Sequence, residues 1–140
     1  MAVTGDTEME GAKLYLKGLL DWVADDVFCI ADLKTTEDAS AIEFGRHVVN
    51  MGYDAQAAYY VDLWKQNTSE DIPFVWIVAE VDPPYGVQVF RATPECIQRG
   101  REINRARLKR WARATLEPSL PGYPETVQDI QLPSWALPTE

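Results

Sequence analysis

Asp32 and Lys34 stand at the end of the apolar run 27–34, where a buried strand should not carry charge. Val27-Phe28-Cys29-Ile30-Ala31 is apolar without a break and reads as a strand covered on both faces. Residues two apart on a strand leave the same face, so the carboxylate and the ammonium emerge together. Charges persist in such a place when they are paired or bind a metal. The preceding segment supplies a second acid. Leu19-Leu20-Asp21-Trp22-Val23 also reads as a strand, with Ala24-Asp25-Asp26 as the turn after it. A hairpin centred between residues 26 and 27 places Asp21 directly across from Asp32, where two carboxylates repel unless a divalent cation lies between them. These residues suggest a metal site with a lysine beside it. A structural ion triad is the plain alternative; two acids against one lysine leave a net negative site, which favours the metal.

The elements that must position them follow from the patterning. Residues 1–10 hold three acids and Gly5 and read as a loose entry. Lys13-Leu14-Tyr15-Leu16-Lys17 alternates as a half-exposed strand does, completing a three-stranded meander with 19–23 and 27–34. Thr35-Thr36-Glu37-Asp38 is a helix-entry signal. Residues 39–65 then read as helical, in one piece or broken at Gly52, on the spacing of Phe44, Val48, Tyr53, Ala57, Tyr60 and Leu63 or Trp64. After the polar loop 66–71, Pro73 prevents continuation. Phe74-Val75-Trp76-Ile77-Val78-Ala79 is a second unbroken apolar strand ending on Glu80. Strand, helix and strand make a right-handed crossover, so the two apolar strands should be parallel. Pro83-Pro84-Tyr85-Gly86 is a turn, and Val87-Gln88-Val89-Phe90 returns beside the second strand. Thr93 before Pro94 caps a helix running to about Ala114, with Ile97, Ile103, Leu108 and Trp111 as its apolar stripe. The expected architecture is an α/β domain with a mixed central β-sheet flanked by helices over residues 1–115. An extended Pro-rich tail, residues 116–140, should dock through Tyr123 and Trp135.

Composition narrows the function. The chain has 140 residues, 46 % of them hydrophobic and 11 % aromatic, enough for one folded core. No apolar run is long enough to span a membrane and no signal peptide is recognisable, so a cytoplasmic protein is expected, without a membrane partner. Cys29 and Cys96 lack metal-ligand spacing and read as reduced core thiols; an iron–sulfur cluster is excluded. The net charge of −9 is uneven: from residue 91 to residue 113 the balance is +6, and over the rest it is −15. That asymmetry suggests one anion-facing surface on an acidic body. His47, the one histidine, reads as a helix-surface residue.

Asp21, then Asp32-Leu33-Lys34-Thr35-Thr36, then Gly52-Tyr53-Asp54-Ala55-Gln56-Ala57-Ala58-Tyr59-Tyr60 resembles the PD-(D/E)XK nuclease superfamily. Within it, the likeness is to the RecE-type exodeoxyribonuclease VIII branch and its phage relatives. It extends to Glu80 with Pro83-Pro84, the arginine-rich helix, and Pro121-Gly122-Tyr123 leading to Leu132-Pro133-Ser134-Trp135. The resemblance implies a restriction-endonuclease-like fold and metal-dependent hydrolysis of DNA. Asp21, Asp32 and Lys34 would be catalytic. Asp21, Asp32 and the Leu33 backbone carbonyl would hold Mg²⁺ or Mn²⁺, ions that suit hard oxygen ligands. Lys34 would orient the attacking water or stabilise charge on the phosphate. Thr35, Arg46, Gln56, Tyr60, Arg101 and Arg105 would contact DNA, Gln56 and Tyr60 being four apart on one helical face.

In that branch a helix before the first strand carries a further His or Glu. The twenty residues before Asp21 show no helical periodicity, so the chain reads as the C-terminal part of such a nuclease. The expected function is exonucleolytic digestion of duplex DNA ends in recombination, in a bacterium or a phage-infected host. A single-strand annealing protein and a homo-oligomer are the partners to consider. The alternatives are a non-catalytic DNA-binding remnant, and an acidic assembly protein whose basic helix binds a protein.

Overall fold

Period-two alternation decides the first element. In the computed structural model, which describes residues 1–24, 26–117, 122–133 and 136, strand β1 (Ala2–Met9) pairs antiparallel with β2 (Ala12–Leu19). Ala2–Met9 is therefore an ordered strand within the segment 1–10 expected to be a loose entry. The inward set, Val3, Gly5, Thr7 and Met9, contains too few apolar residues to announce itself, while Glu10 and Gly11 at φ 53° and 81° supply the tight turn that twisted strands need. The two strands form a separate ribbon, so there is no three-stranded meander: Leu20 and Asp21 interrupt the chain before β3 (Trp22–Ala24).

The main sheet has the order β3-β4-β5-β6, with β4 spanning Cys29–Thr36, β5 Phe74–Glu80 and β6 Val87–Arg91. The pairing of β4 with β5 is parallel, as the crossover requires, and the outer pairings are antiparallel. β4 starts two residues later than the apolar run: Val27 is exposed and Phe28, at φ 43°, belongs to the turn. The connection holds two helices, α1 (Ala41–Met51) and α2 (Tyr53–Thr68). Ser40 caps α1, and Gly52 at φ 71° ends one helix and begins the next, a conformation that glycine adopts without strain.

In-register residues of the four strands share a face. Ile30, Phe74, Trp76 and Val78 form a core with Phe44, Ala57, Leu63 and Trp64 of the helices. On the opposite face, Trp22, Leu33, Val87 and Val89 are 56–62 % exposed. The last helix, α3 (Pro94–Leu116), starts at the Thr93 cap with Pro94 in its first turn, as the sequence indicates. It crosses α2 at Gly100, where an added Cβ would lie 2.1 Å from the Asp54 carbonyl oxygen; only a residue without a side chain permits that approach. Asn104 Nδ2 donates to the Ala55 carbonyl at 2.8 Å, and Arg99 pairs with the buried Asp54. Tyr123 is 98 % exposed, so it does not anchor the tail; Trp135 lies outside the described residues. Among the described residues no helix is long and apolar enough to cross a membrane. Both cysteines are free thiols.

Candidate active site

The β3–β4 ladder pairs Trp22 with Ala31, Val23 with Ile30 and Ala24 with Cys29. One step beyond, this register sets Asp21 opposite Asp32, the relation expected from a turn centred between residues 26 and 27. Asp21 Oδ2 accepts from the Leu33 backbone N–H at 3.4 Å, so the acid is held against β4 while its side chain stays exposed. Asp32 is 2 % exposed. Its Oδ1 accepts from Gln56 Nε2 on α2 at 3.0 Å. Its Oδ2 is buried without a well-formed hydrogen bond and faces the Lys34 ammonium as an ion contact.

Burial pushes the Asp32 carboxyl above the usual carboxylate range, and the nearby Asp21 charge adds to the rise, while Lys34 and Gln56 oppose it. A buried carboxylate that is energetically unfavourable in its ionised form, beside a second acid, is an arrangement that a cation relieves. The oxygen donors fit Mg²⁺ or Mn²⁺, which commonly take one or two carboxylates and complete their shell with water and phosphate oxygens. Among the described residues no cluster of three or more acidic, histidine or cysteine side chains converges here or elsewhere.

Lys34 Nζ lies 4.6 Å from the centroid of the Tyr53 ring, a cation–π contact beside its ion contact with Asp32. Tyr53 is a site residue that sequence reasoning counted only as part of an apolar stripe; its place three residues before Gln56, on the same helical face, was the available signal.

The remaining expectations divide. Gln56 belongs to the site but is bonded to Asp32. Tyr60 lies on the same helix one turn on, tilted against Phe74 with ring centroids 6.3 Å apart, and lines a cleft beside the site. Thr35 leaves the sheet on the face opposite Asp32 and Lys34, by strand alternation, and so is not brought to them. Arg46 is on α1, not on the helix of Gln56 and Tyr60, and pairs with Glu43. Arg101 is engaged by Asp62 of α2 through Nε at 3.0 Å and Nη2 at 2.7 Å to Oδ1, so its guanidinium serves helix packing. Arg105 is exposed one turn further along α3. Glu80 is structural: Oε1 accepts from Ala39 N–H and Oε2 from Gly86 N–H, each at 3.1 Å. His47 Nδ1 meets Thr36 Oγ1 at 3.3 Å, away from the acids.

Comparison with known proteins agrees with this architecture. A solved structure, named "Putative exonuclease" and from Eubacterium rectale, superposes with a TM-score of 0.61 at 23 % identity, covering 95 % of this chain and 53 % of that one. This chain thus spans about half the length of that protein. A second solved structure aligns over 83 % of this chain and 56 % of its own at 13 % identity, with a TM-score of 0.45 that carries no argument. No curated protein matches. A family model described as "PDDEXK-like domain of unknown function (DUF3799)" matches residues 2–133. With a mixed sheet of restriction-endonuclease-like form and an acid facing an acid-x-lysine across a hairpin, the chain belongs to that PDDEXK-like family.

Proposed function

We propose that this chain carries the acidic and lysine half of a metal-dependent DNA phosphodiesterase that acts on duplex ends. The observation that carries the reading is Asp32, buried, lacking a hydrogen bond on Oδ2, and set across a hairpin from Asp21. Mg²⁺ or Mn²⁺ held by Asp21, Asp32 and the Leu33 carbonyl would polarise the scissile phosphate and acidify an attacking water. Gln56 engages Oδ1 of Asp32, so Oδ2, which faces the Lys34 ammonium, is the oxygen that a metal would share. Lys34, steered by Tyr53, is placed to stabilise charge that develops on a phosphate next to Asp32. The name of the Eubacterium rectale protein supports exonucleolytic action, and its greater length fits a whole enzyme with elements beyond these 140 residues. Work alongside a single-strand annealing protein, and as a homo-oligomer, extends the same reading.

A second reading is a DNA-binding remnant without turnover. Its support is that the described site brings only two carboxylates together. Digestion of end-labelled linear duplex with Mg²⁺ or Mn²⁺ separates the two. Turnover lost in Asp32→Ala and in Lys34→Ala establishes the nuclease; salt-sensitive binding without turnover in the unmodified chain leaves a degenerate or half nuclease.

A further inference from the structure

The positive charge concentrated between residues 91 and 113 does not form one surface. Arg99 is engaged by Asp54 and Arg101 by Asp62, and Arg113 lies 3.6 Å from Glu10, so three of the helix cations face neighbouring carboxylates. Arg107 has no such partner among the described residues. It reaches over the start of α2, its Nη2 3.7 Å from the position that a Cβ on Gly52 would occupy. Across from it, on β2, stands Lys17, also exposed and without a carboxylate partner among the described residues.

Between them lies a cleft of about 720 Å³, walled by the β1–β2 ribbon on one side and by α2 and α3 on the other. Although the chain has 22 acidic residues, none lines this cleft. Its inner wall is apolar and aromatic, with Tyr59 and Tyr60 next to Val3 and Leu19. Three of its other polar side chains are already engaged. Tyr59 Oη donates to the Lys17 carbonyl and accepts from the Lys17 N–H, both at 3.1 Å, while the Asn104 amide serves Ala55 and the Gln56 amide serves Asp32. Two cations at the rim of an aromatic wall match the two recurring features of a single nucleic-acid strand, phosphates outside and bases that stack. The volume is that of a small-ligand pocket, room for nucleotide units but not for a duplex. Gln56 belongs both to this wall and to the Asp32 site, so a strand lying here leads directly to the acids.

We infer that this cleft binds single-stranded DNA, with Lys17 and Arg107 on its phosphates and Tyr59 and Tyr60 against its bases. The choice of DNA rests on the proposed function; the choice of a single strand rests on the cleft.

Fluorescence anisotropy of the full chain with a labelled oligothymidylate of about ten nucleotides, in EDTA, tests it. Lys17→Glu and Arg107→Glu should each weaken binding by roughly tenfold or more and make it less dependent on salt. Arg110→Glu, on the same helix but outside the cleft, should change it little. Both cleft side chains are exposed, so melting curves of the variants should match that of the parent. An equal loss in Arg110→Glu, no binding by the parent, or competition by thymidine monophosphate as effective per nucleotide as the oligomer would overturn the inference. The readout needs neither metal nor cleavage. A chain that binds through the cleft and never cuts upholds the cleft and counts against the nuclease reading alone; one that cuts duplex ends with both variants unimpaired refutes the cleft alone.

Discussion

Gln56 Nε2 donates to Asp32 Oδ1 at 3.0 Å and so latches helix α2 to strand β4 at the buried carboxylate. With Oδ1 engaged, the rotamer is fixed and Oδ2 keeps one direction. Replacing Gln56 by Leu removes a hydrogen bond to a charged acceptor, worth about 1.5–3 kcal/mol. Turnover should fall by one to two orders of magnitude, with a matching loss of Mn²⁺ affinity by calorimetry. Unchanged metal affinity in Gln56→Leu would remove the residue from the site.

Asp32 is expected to cost the fold stability at neutral pH. Its carboxyl is raised above the ordinary carboxylate value, chiefly by burial. A group raised on folding contributes stability that is full below its unfolded value and lost as pH rises through its folded value. At pH ~7 the ionised side chain is then a burden, and Asp32→Asn should raise stability and melting temperature. The same variant should lose turnover and the stabilisation by Mn²⁺ expected of the parent. Thermal melts in EDTA and in Mn²⁺ check both signs; a variant that melts lower than the parent in EDTA contradicts the first.

Arg101 and Asp62 make a partly exposed pair between α3 and α2. A double-mutant cycle with Arg101→Ala and Asp62→Ala should give a coupling of about 0.5–1 kcal/mol in urea unfolding. Oligonucleotide affinity of Arg101→Ala should stay within roughly twofold of the parent, because its charge is already spoken for.

Gly100 is where α3 meets the backbone of α2. A methyl group there collides with the Asp54 carbonyl oxygen, which is backbone and cannot turn aside. Gly100→Ala should destabilise by about 3 kcal/mol or more, well beyond an ordinary exposed helix substitution, which Gln98→Ala can calibrate.

The main sheet and its parallel crossover were legible because β4 and β5 carry unbroken apolar cores, and the opposition of Asp21 to Asp32 followed from counting residues about a turn. The β1 strand was not, since its inward positions include Gly5 and Thr7, which do not read as apolar. The arginines misled for a different reason. Composition reports charge, whereas the acids that neutralise Arg99 and Arg101 sit about forty residues away on α2, a distance that only folding closes. Tyr53 was hidden because an aromatic at helical spacing is ordinarily core, and its contact with Lys34 depends on how α2 lies over β4.

The bare sheet face bearing Trp22, Leu33, Val87 and Val89 sets the colloidal behaviour of the protein. At low ionic strength the net charge of −9 keeps molecules apart. Salt shortens the reach of that repulsion, to about 3 Å at 1 M, and leaves the attraction between apolar faces intact. Dispersion of this chain should therefore be best in dilute buffer, and concentrated salt is expected to favour association while it is still folded.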